Sequence, residues 1–216
     1  MLDKPQQLYN TDGGVCVYVA EFDDTVTVRA VEPSIRNEQI AVATNPILKR
    51  QRYCVWRLLD FALRQTTGKG VDELTFTRDA NGKWASDGAY FSLSHSRYAV
   101  AVAVCRTERV GVDVEYVACD RFNQRLADRI LTANERATFD SLLQDERSQA
   151  LVEIWTKKEA VFKRDGGSNF LPKAINTCED GSFAKKVTMK SGTYWVGASS
   201  VSNLPTELYV MDAFEW

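Results

Sequence analysis

Apolar and polar positions along the chain alternate between two periods. Val15–Glu21 and Thr25–Val31 are dense in β-branched residues around a Phe-Asp-Asp turn, which predicts a strand pair. Asn45-Pro46 then reads as an N-cap followed by proline at the first helical position, and the helical period runs from there to about Gln65, before Gly68 and Gly70. Strands follow near Glu73–Thr77, Tyr90–Leu93, Tyr98–Cys105 and Val110–Tyr116. Short helices are predicted at Arg121–Ile130 and Thr132–Leu143, the second with Thr132 and Glu135 in capping-box spacing. A longer helix covers about Ser148–Arg164 and stops at Gly166-Gly167. Strands near Phe183–Met189, Tyr194–Ala198 and Glu207–Asp212 close the chain. Each half thus combines antiparallel-looking strands with one substantial helix, an α+β pattern. The joint is placed at Arg106–Glu108, dividing the chain into halves 1–106 and 107–216.

Composition narrows the class. The chain has 216 residues, 44% hydrophobic and 26% charged, enough to bury a core without disulfides or structural metal. Lys plus Arg is 27 against 29 acids, so there is no global basic field and nucleic acid is not an expected partner. One histidine, His95, excludes mechanisms that need two imidazoles. The five cysteines show no CxxC spacing and read as reduced thiols, which with an N-terminus lacking an apolar leader core predicts a cytoplasmic protein. The longest apolar run, Tyr98–Cys105, is far short of the ~20 residues of a membrane helix, so no membrane association is expected.

Four segments could carry chemistry. In Gly111-Val112-Asp113-Val114-Glu115, strand alternation puts Asp113 and Glu115 on one face. Two carboxylates so placed can share a hard divalent cation, or they can form a solvated acidic face. In Trp155-Thr156-Lys157-Lys158-Glu159-Ala160-Val161-Phe162-Lys163, a helical wheel collects Leu151, Val152, Ile154, Trp155, Val161 and Phe162 into one apolar arc. Lys158 and Glu159 fall inside that arc and Lys163 at its edge. Charges there need a partner or a ligand; a Glu159–Lys163 i,i+4 pair with long side chains snorkelling to water accounts for Lys158 but less well for Glu159, whose stem is short.

Phe91-Ser92-Leu93-Ser94-His95-Ser96 places the single imidazole between hydroxyls before an apolar strand, where it could hold a phosphate or could be a plain turn. On the Asn45–Gln65 helix, Arg50, Arg57 and Arg64 line up at seven-residue spacing, and Arg52 falls on the apolar side. This basic cluster suits a small polyanion or a solvated face. There is no GxxxxGK[ST] loop, no GxGxxG and no GxSxG elbow.

Together these segments resemble the 4′-phosphopantetheinyl transferases of the larger, surfactin-synthetase-activating (Sfp) type. The family's G-[IV]-D-[IVL]-E is Gly111–Glu115, its W-[ST]-x-K-E-[AS]-x-x-K is Trp155–Lys163, and its F-N-x-S-H-S is Phe91–Ser96, with Ser92 in the usual Asn place. Its G-K-P is Gly82-Lys83-Trp84, with Trp84 replacing Pro, and Arg129-Ile130-Leu131 followed by Glu135 is similar to its R-F-F…E stretch.

The resemblance implies two pseudo-twofold-related halves, each a small antiparallel sheet on a long helix, with coenzyme A in the cleft between them. It implies Mg²⁺- or Mn²⁺-dependent transfer of phosphopantetheine from coenzyme A to a serine of an apo acyl, polyketide or peptidyl carrier protein. This is the holo-[acyl-carrier-protein] synthase type of reaction, in fatty acid, polyketide or nonribosomal peptide biosynthesis. It further implies Asp113, Glu115 and Glu159 as metal ligands, and Lys158 and Lys163 beside the pyrophosphate. Ser94 and His95 would meet the 3′-phosphate, with Lys83 near and one of Arg50, Arg52 or Arg57 assisting. Glu159 is the candidate base for the carrier serine and Asp113 the alternative. A monomer is expected, because a duplicated fold can complete its own site. The competing readings are a carrier- or coenzyme A-binding protein without turnover, and a Mg²⁺-dependent phosphohydrolase.

Overall fold

Strand β1 (Val15–Glu21) is buried along its whole length, because it lies inside a sheet covered on both faces. A computed structural model of the chain describes residues 13–79, 83–117 and 123–211. After β1 come helices α1 (Ile35–Ala41) and α2 (Pro46–Thr67), then strands β2 (Phe76–Arg78), β3 (Trp84–Ser86), β4 (Tyr90–Ser96), β5 (Ala99–Cys105) and β6 (Val110–Tyr116). Helices α3 (Gln124–Ile130), α4 (Ala133–Ser141) and α5 (Gln144–Asp165) follow, and β7 (Phe183–Met189), β8 (Gly192–Ser200) and β9 (Thr206–Met211) end the described chain.

The strands form a sheet of order β4-β5-β1-β9, a sheet of order β6-β8-β7, and a two-stranded β2-β3 ribbon. Pairing is antiparallel except between β1 and β9. The β5 sequence AVAVAVC sorts by face. Val100, Val102 and Val104 join the core under α2, whereas Ala99, Ala101, Ala103 and Cys105 face the second sheet with Val112, Val114 and Val196. A small-residue face lets two sheets approach closely, and the bulkier face fills the space beneath a helix. The layers are therefore α2, first sheet, second sheet and α5.

Local signals set the helix ends. Asn45 Oδ1 accepts from the amides of Ile47 and Leu48 ahead of Pro46, and α2 stops at Gly68 in the left-handed region. The Thr132/Glu135 capping box forms as the spacing predicts, and α5 ends at Gly166 with φ 72°.

Several elements differ from the pattern-based reading. Thr25–Val31 is not a strand, since both edges of β1 are already paired, by β5 and β9. The expected strand at Glu73–Thr77 reduces to Phe76–Arg78 against Trp84–Ser86. Helix α1 had no clear periodic signal. α3 starts only after its Asn123 cap; the first two residues of the expected helix, Arg121 and Phe122, lie outside the described residues, as does Asp212. β9 returns to the first sheet beside β1, so residues 206–211 pack with the half expected to end at residue 106. Among the described residues, Cys16, Cys54 and Cys105 are buried and outside any disulfide, Cys178 is exposed, and no helix is long and apolar enough to cross a membrane.

Candidate active site

The site begins at a glycine. A Cβ on Gly111 would lie 1.8 Å from the Ala160 carbonyl oxygen and 2.5 Å from the Arg164 amide. Gly197, opposite Asp113 on β8, would meet Thr156 in the same way, at 2.9 Å. Two glycines on neighbouring strands thus let α5 lie directly on the sheet. The face so covered is the one carrying Asp113 and Glu115, so the acidic pair is not a solvated surface: Asp113 is 4% exposed.

The stripe Trp155, Glu159, Lys163 runs along α5 at i, i+4, i+8 over that face. Its ends meet the strand carboxylates. Trp155 Nε1 donates to Glu115 Oε1 at 3.3 Å, and Lys163 Nζ donates to Asp113 Oδ1 at 2.6 Å. Half-buried Glu159 lies between them on the same stripe. The other Asp113 oxygen, Oδ2, is buried with no hydrogen-bond partner among the described residues. A buried carboxylate oxygen left bare is costly unless a cation or donor completes it, and this carboxylate-rich seam suits a hard divalent ion. As placed, the three expected ligands do not converge into a closed three-carboxylate group among the described residues; Lys163 occupies Asp113 instead.

β4 supplies the opposite wall, and its alternation divides the Phe91–Ser96 motif. Ser92, Ser94 and Ser96 face β6, so Ser94 Oγ meets Asp113 at 2.8 Å and not the same surroundings as His95. His95, on the other face, opens into a cavity of about 340 Å³ whose polar lining is Arg36, Gln39, Arg52, Arg78 and the Trp84 indole. No acid is among its described lining residues. The Arg36 guanidinium donates to Gln39 Oε1 at 2.6 Å and to the Arg52 carbonyl at 2.8 Å, and lies 5.0 Å over the Trp56 ring. Burial and the neighbouring Arg52 and Arg78 cations pull Arg36 down to about 10. His95 is exposed to the cavity yet crowded by protein behind it. That crowding, with the charges of Lys163, Arg36 and Arg52, lowers its imidazole to about 4. Like charges gathered without an acid make a receptor for a compact polyanion.

Two adjoining cavities of about 270 and 370 Å³ share Lys83, Trp84, Phe91 and Gly166. Lys83 Nζ donates to the Lys163 carbonyl at 2.5 Å and the Arg164 carbonyl at 3.4 Å, capping the C-terminus of α5 from the segment between β2 and β3. Burial, then Arg109, lowers its pKa.

The remaining expected residues lie elsewhere. Lys158 is fully buried and pairs with Glu135 at 2.8 Å, while also donating to the carbonyls of Pro172 and Ile175. It therefore faces away from the cleft and neither snorkels to water nor reaches a cleft ligand. Arg50 pairs with Asp24 at 3.0 Å and Arg57 lies 3.4 Å from the Tyr53 hydroxyl; neither lines the His95 cavity, whereas Arg52 does. Arg36 and Arg78 were not singled out in the sequence. They sit on short elements whose only signal was their charge.

The 4′-phosphopantetheinyl transferase superfamily model matches residues 109–198, which hold both the β6 carboxylates and the α5 stripe. The chain is 30% identical over 122 residues to the 4′-phosphopantetheinyl transferase AcpT of Escherichia coli (strain K12), covering 56% of this chain and 60% of that protein. It is 29% identical over 124 residues to the 4′-phosphopantetheinyl transferase HetI of Nostoc sp., covering 54% of this chain and 52% of that protein. The chain thus spans between half and three fifths of the length of these curated relatives.

Proposed function

We propose that this chain transfers the 4′-phosphopantetheine group of coenzyme A to a serine hydroxyl of an apo carrier protein. The observation that carries the reading is Asp113, held through Oδ1 by Lys163 and bare at buried Oδ2, on a cleft bordered by a cavity of cations. The names of the matched relatives support it.

Asp113, Glu115 and Glu159 would hold a divalent cation, Mg²⁺ or Mn²⁺. Bound there, it neutralises charge on the diphosphate oxygens. The residues of the chain do the rest. His95, with Arg36, Arg52 and Arg78, binds the 3′-phosphate and so orients the nucleotide. Trp84 and Phe91 supply apolar walls to the cleft. Lys163 adds a positive charge beside the diphosphate. Glu159 takes the proton of the carrier serine as its oxygen forms a bond to the β-phosphorus. The bond from that phosphorus to the bridging oxygen breaks, and adenosine 3′,5′-bisphosphate leaves with the electron pair.

The reading extends to the Sfp-type organisation of two pseudo-twofold halves. A monomer suffices, because both walls of the cleft come from one chain. Reduced cysteines and a coenzyme A substrate fit a cytoplasmic enzyme. The test is incubation with coenzyme A, Mg²⁺ and an apo carrier, followed by intact-protein mass measurement. A gain of one phosphopantetheine that disappears on chelation is expected. No gain across acyl, polyketide and peptidyl carriers would overturn the reading.

A further inference from the structure

Strands β4 and β6 are both edges of their sheets, and no backbone ladder joins them. Three serine hydroxyls do so instead. Ser92 Oγ accepts from the Val112 amide at 3.1 Å, Ser94 Oγ from the Val114 amide at 3.3 Å, and Ser96 Oγ from the Tyr116 amide at 3.2 Å. The spacing is i, i+2, i+4 on both strands, with one offset throughout. The outward N–H groups of β6 thus receive side-chain oxygens where a further strand would offer carbonyls.

Two of the rungs carry a second bond. Ser94 Oγ donates to Asp113 Oδ1 at 2.8 Å, and Ser96 Oγ donates to Glu115 Oε2 at 3.1 Å. Ser94 also accepts from Lys163 Nζ at 3.0 Å, so its hydroxyl makes three bonds. Ser92 has no carboxylate opposite it, because Gly111 occupies the corresponding position on β6. A serine hydroxyl anchored by a backbone amide has little rotational freedom left, and a carboxylate receiving its proton is fixed in turn.

We infer that Ser94 and Ser96 are positioning residues: anchored on β6 amides, they fix the Asp113 and Glu115 carboxylates so that Asp113 presents Oδ2 to the cation. The inference rests on the proposed metal role of those carboxylates. It also makes β4 a two-faced strand, with His95 reading the anion on one face and the serines setting the carboxylates on the other.

The experiment measures Mn²⁺ affinity by electron paramagnetic resonance of free Mn²⁺, in the presence of coenzyme A and with the protein-free blank subtracted. Each variant is also scored for Tm, for coenzyme A KM and for the Mg²⁺ concentration giving half-maximal transfer. Ser94→Ala and Ser96→Ala are expected to weaken Mn²⁺ binding by about 10–100-fold, as loss of an outer-shell partner typically does. The coenzyme A KM should stay near wild type at saturating metal. Ser92→Ala removes a matching rung with no carboxylate on it, so it lowers Tm but leaves Mn²⁺ affinity unchanged. Ser94→Ala should add nothing to the loss already caused by Asp113→Asn. If Ser94→Ala does not fold, Ser96→Ala, at a half-buried position, carries the same prediction. Wild-type Mn²⁺ affinity in folded Ser94→Ala and Ser96→Ala, or an equal loss in Ser92→Ala, overturns the positioning role while leaving the metal site standing. No Mn²⁺ binding by the wild type overturns both.

Discussion

Lys163 Nζ stands 2.6 Å from Asp113 Oδ1 across the contact of α5 with β6, while Asp113 Oδ2 is buried without a hydrogen-bond partner among the described residues. One carboxylate is thus half occupied by an ammonium and half open. Glu159→Gln, Asp113→Asn and Lys163→Met should each lower transfer at saturating coenzyme A and Mg²⁺ by about 10²–10³-fold, the usual cost of removing a preorganised charge. Steady-state rates beside circular dichroism spectra check this. A folded Asp113→Asn protein with wild-type turnover would contradict the site.

Lys158 and Lys163 lie five residues apart in one motif and do unlike work. Lys158→Met leaves Glu135 charged and buried without its ammonium, a loss of about 3–5 kcal/mol. In a chain of this size that corresponds to a fall in Tm of about 6–20 °C. The coenzyme A Kd should not change. Calorimetry with and without ligand separates the two roles, and a lost Kd with an intact Tm would return Lys158 to the cleft.

The same pair shapes acid stability. Burial raises the Glu135 pKa, but Lys158 and the amides of Thr132 and Thr177 outweigh it, so the group lies below its ordinary 4.5. A depressed carboxylate contributes stability that is fully present above 4.5 and is lost as pH falls through the native value. Wild-type Tm should therefore drop more steeply below pH 4.5 than that of Glu135→Gln, which starts lower. Parallel acid limbs would show that the pair contributes nothing to this dependence.

Gly111→Ala should be among the most damaging small substitutions, because the added methyl meets backbone, which cannot swing aside. A loss of about 3 kcal/mol or more is expected, at or beyond the top of the overpacking range. Urea unfolding measures it, and a loss under 1 kcal/mol would mean that α5 can lift off β6 at little cost.

Arg52→Ala and His95→Ala should each weaken coenzyme A by about 10–100-fold, as loss of a charge-assisted hydrogen bond does, with little effect on dephospho-coenzyme A. Arg50→Ala and Arg57→Ala should leave the ratio of the two affinities unchanged, since neither residue lines the cavity. Direct titration of both nucleotides decides between these two sets of arginines.

Periodicity and capping were enough for the α+β class, for β1, β6 and β7 at their full lengths, and for both long helices with their glycine stops, although α5 begins at Gln144, a turn before the expected Ser148. They were enough, too, for the Asp113/Glu115 face and for the face that Glu159 and Lys163 share at i, i+4. These are local facts, because side-chain direction within one strand or helix follows from its repeat. What a face meets is not local. Lys158 and Glu159 are neighbours in the same arc, and only the position of Glu135 on α4 takes one into the core while the other stays at the seam. Ser94 and His95 are neighbours on β4, and the packing of two sheet edges sends one to Asp113 and the other to a cavity completed by Arg36, from a helix without a periodic signal. Likewise β9 pairs with β1 almost two hundred residues away, an association decided by which strand edge remains open once the layers have formed.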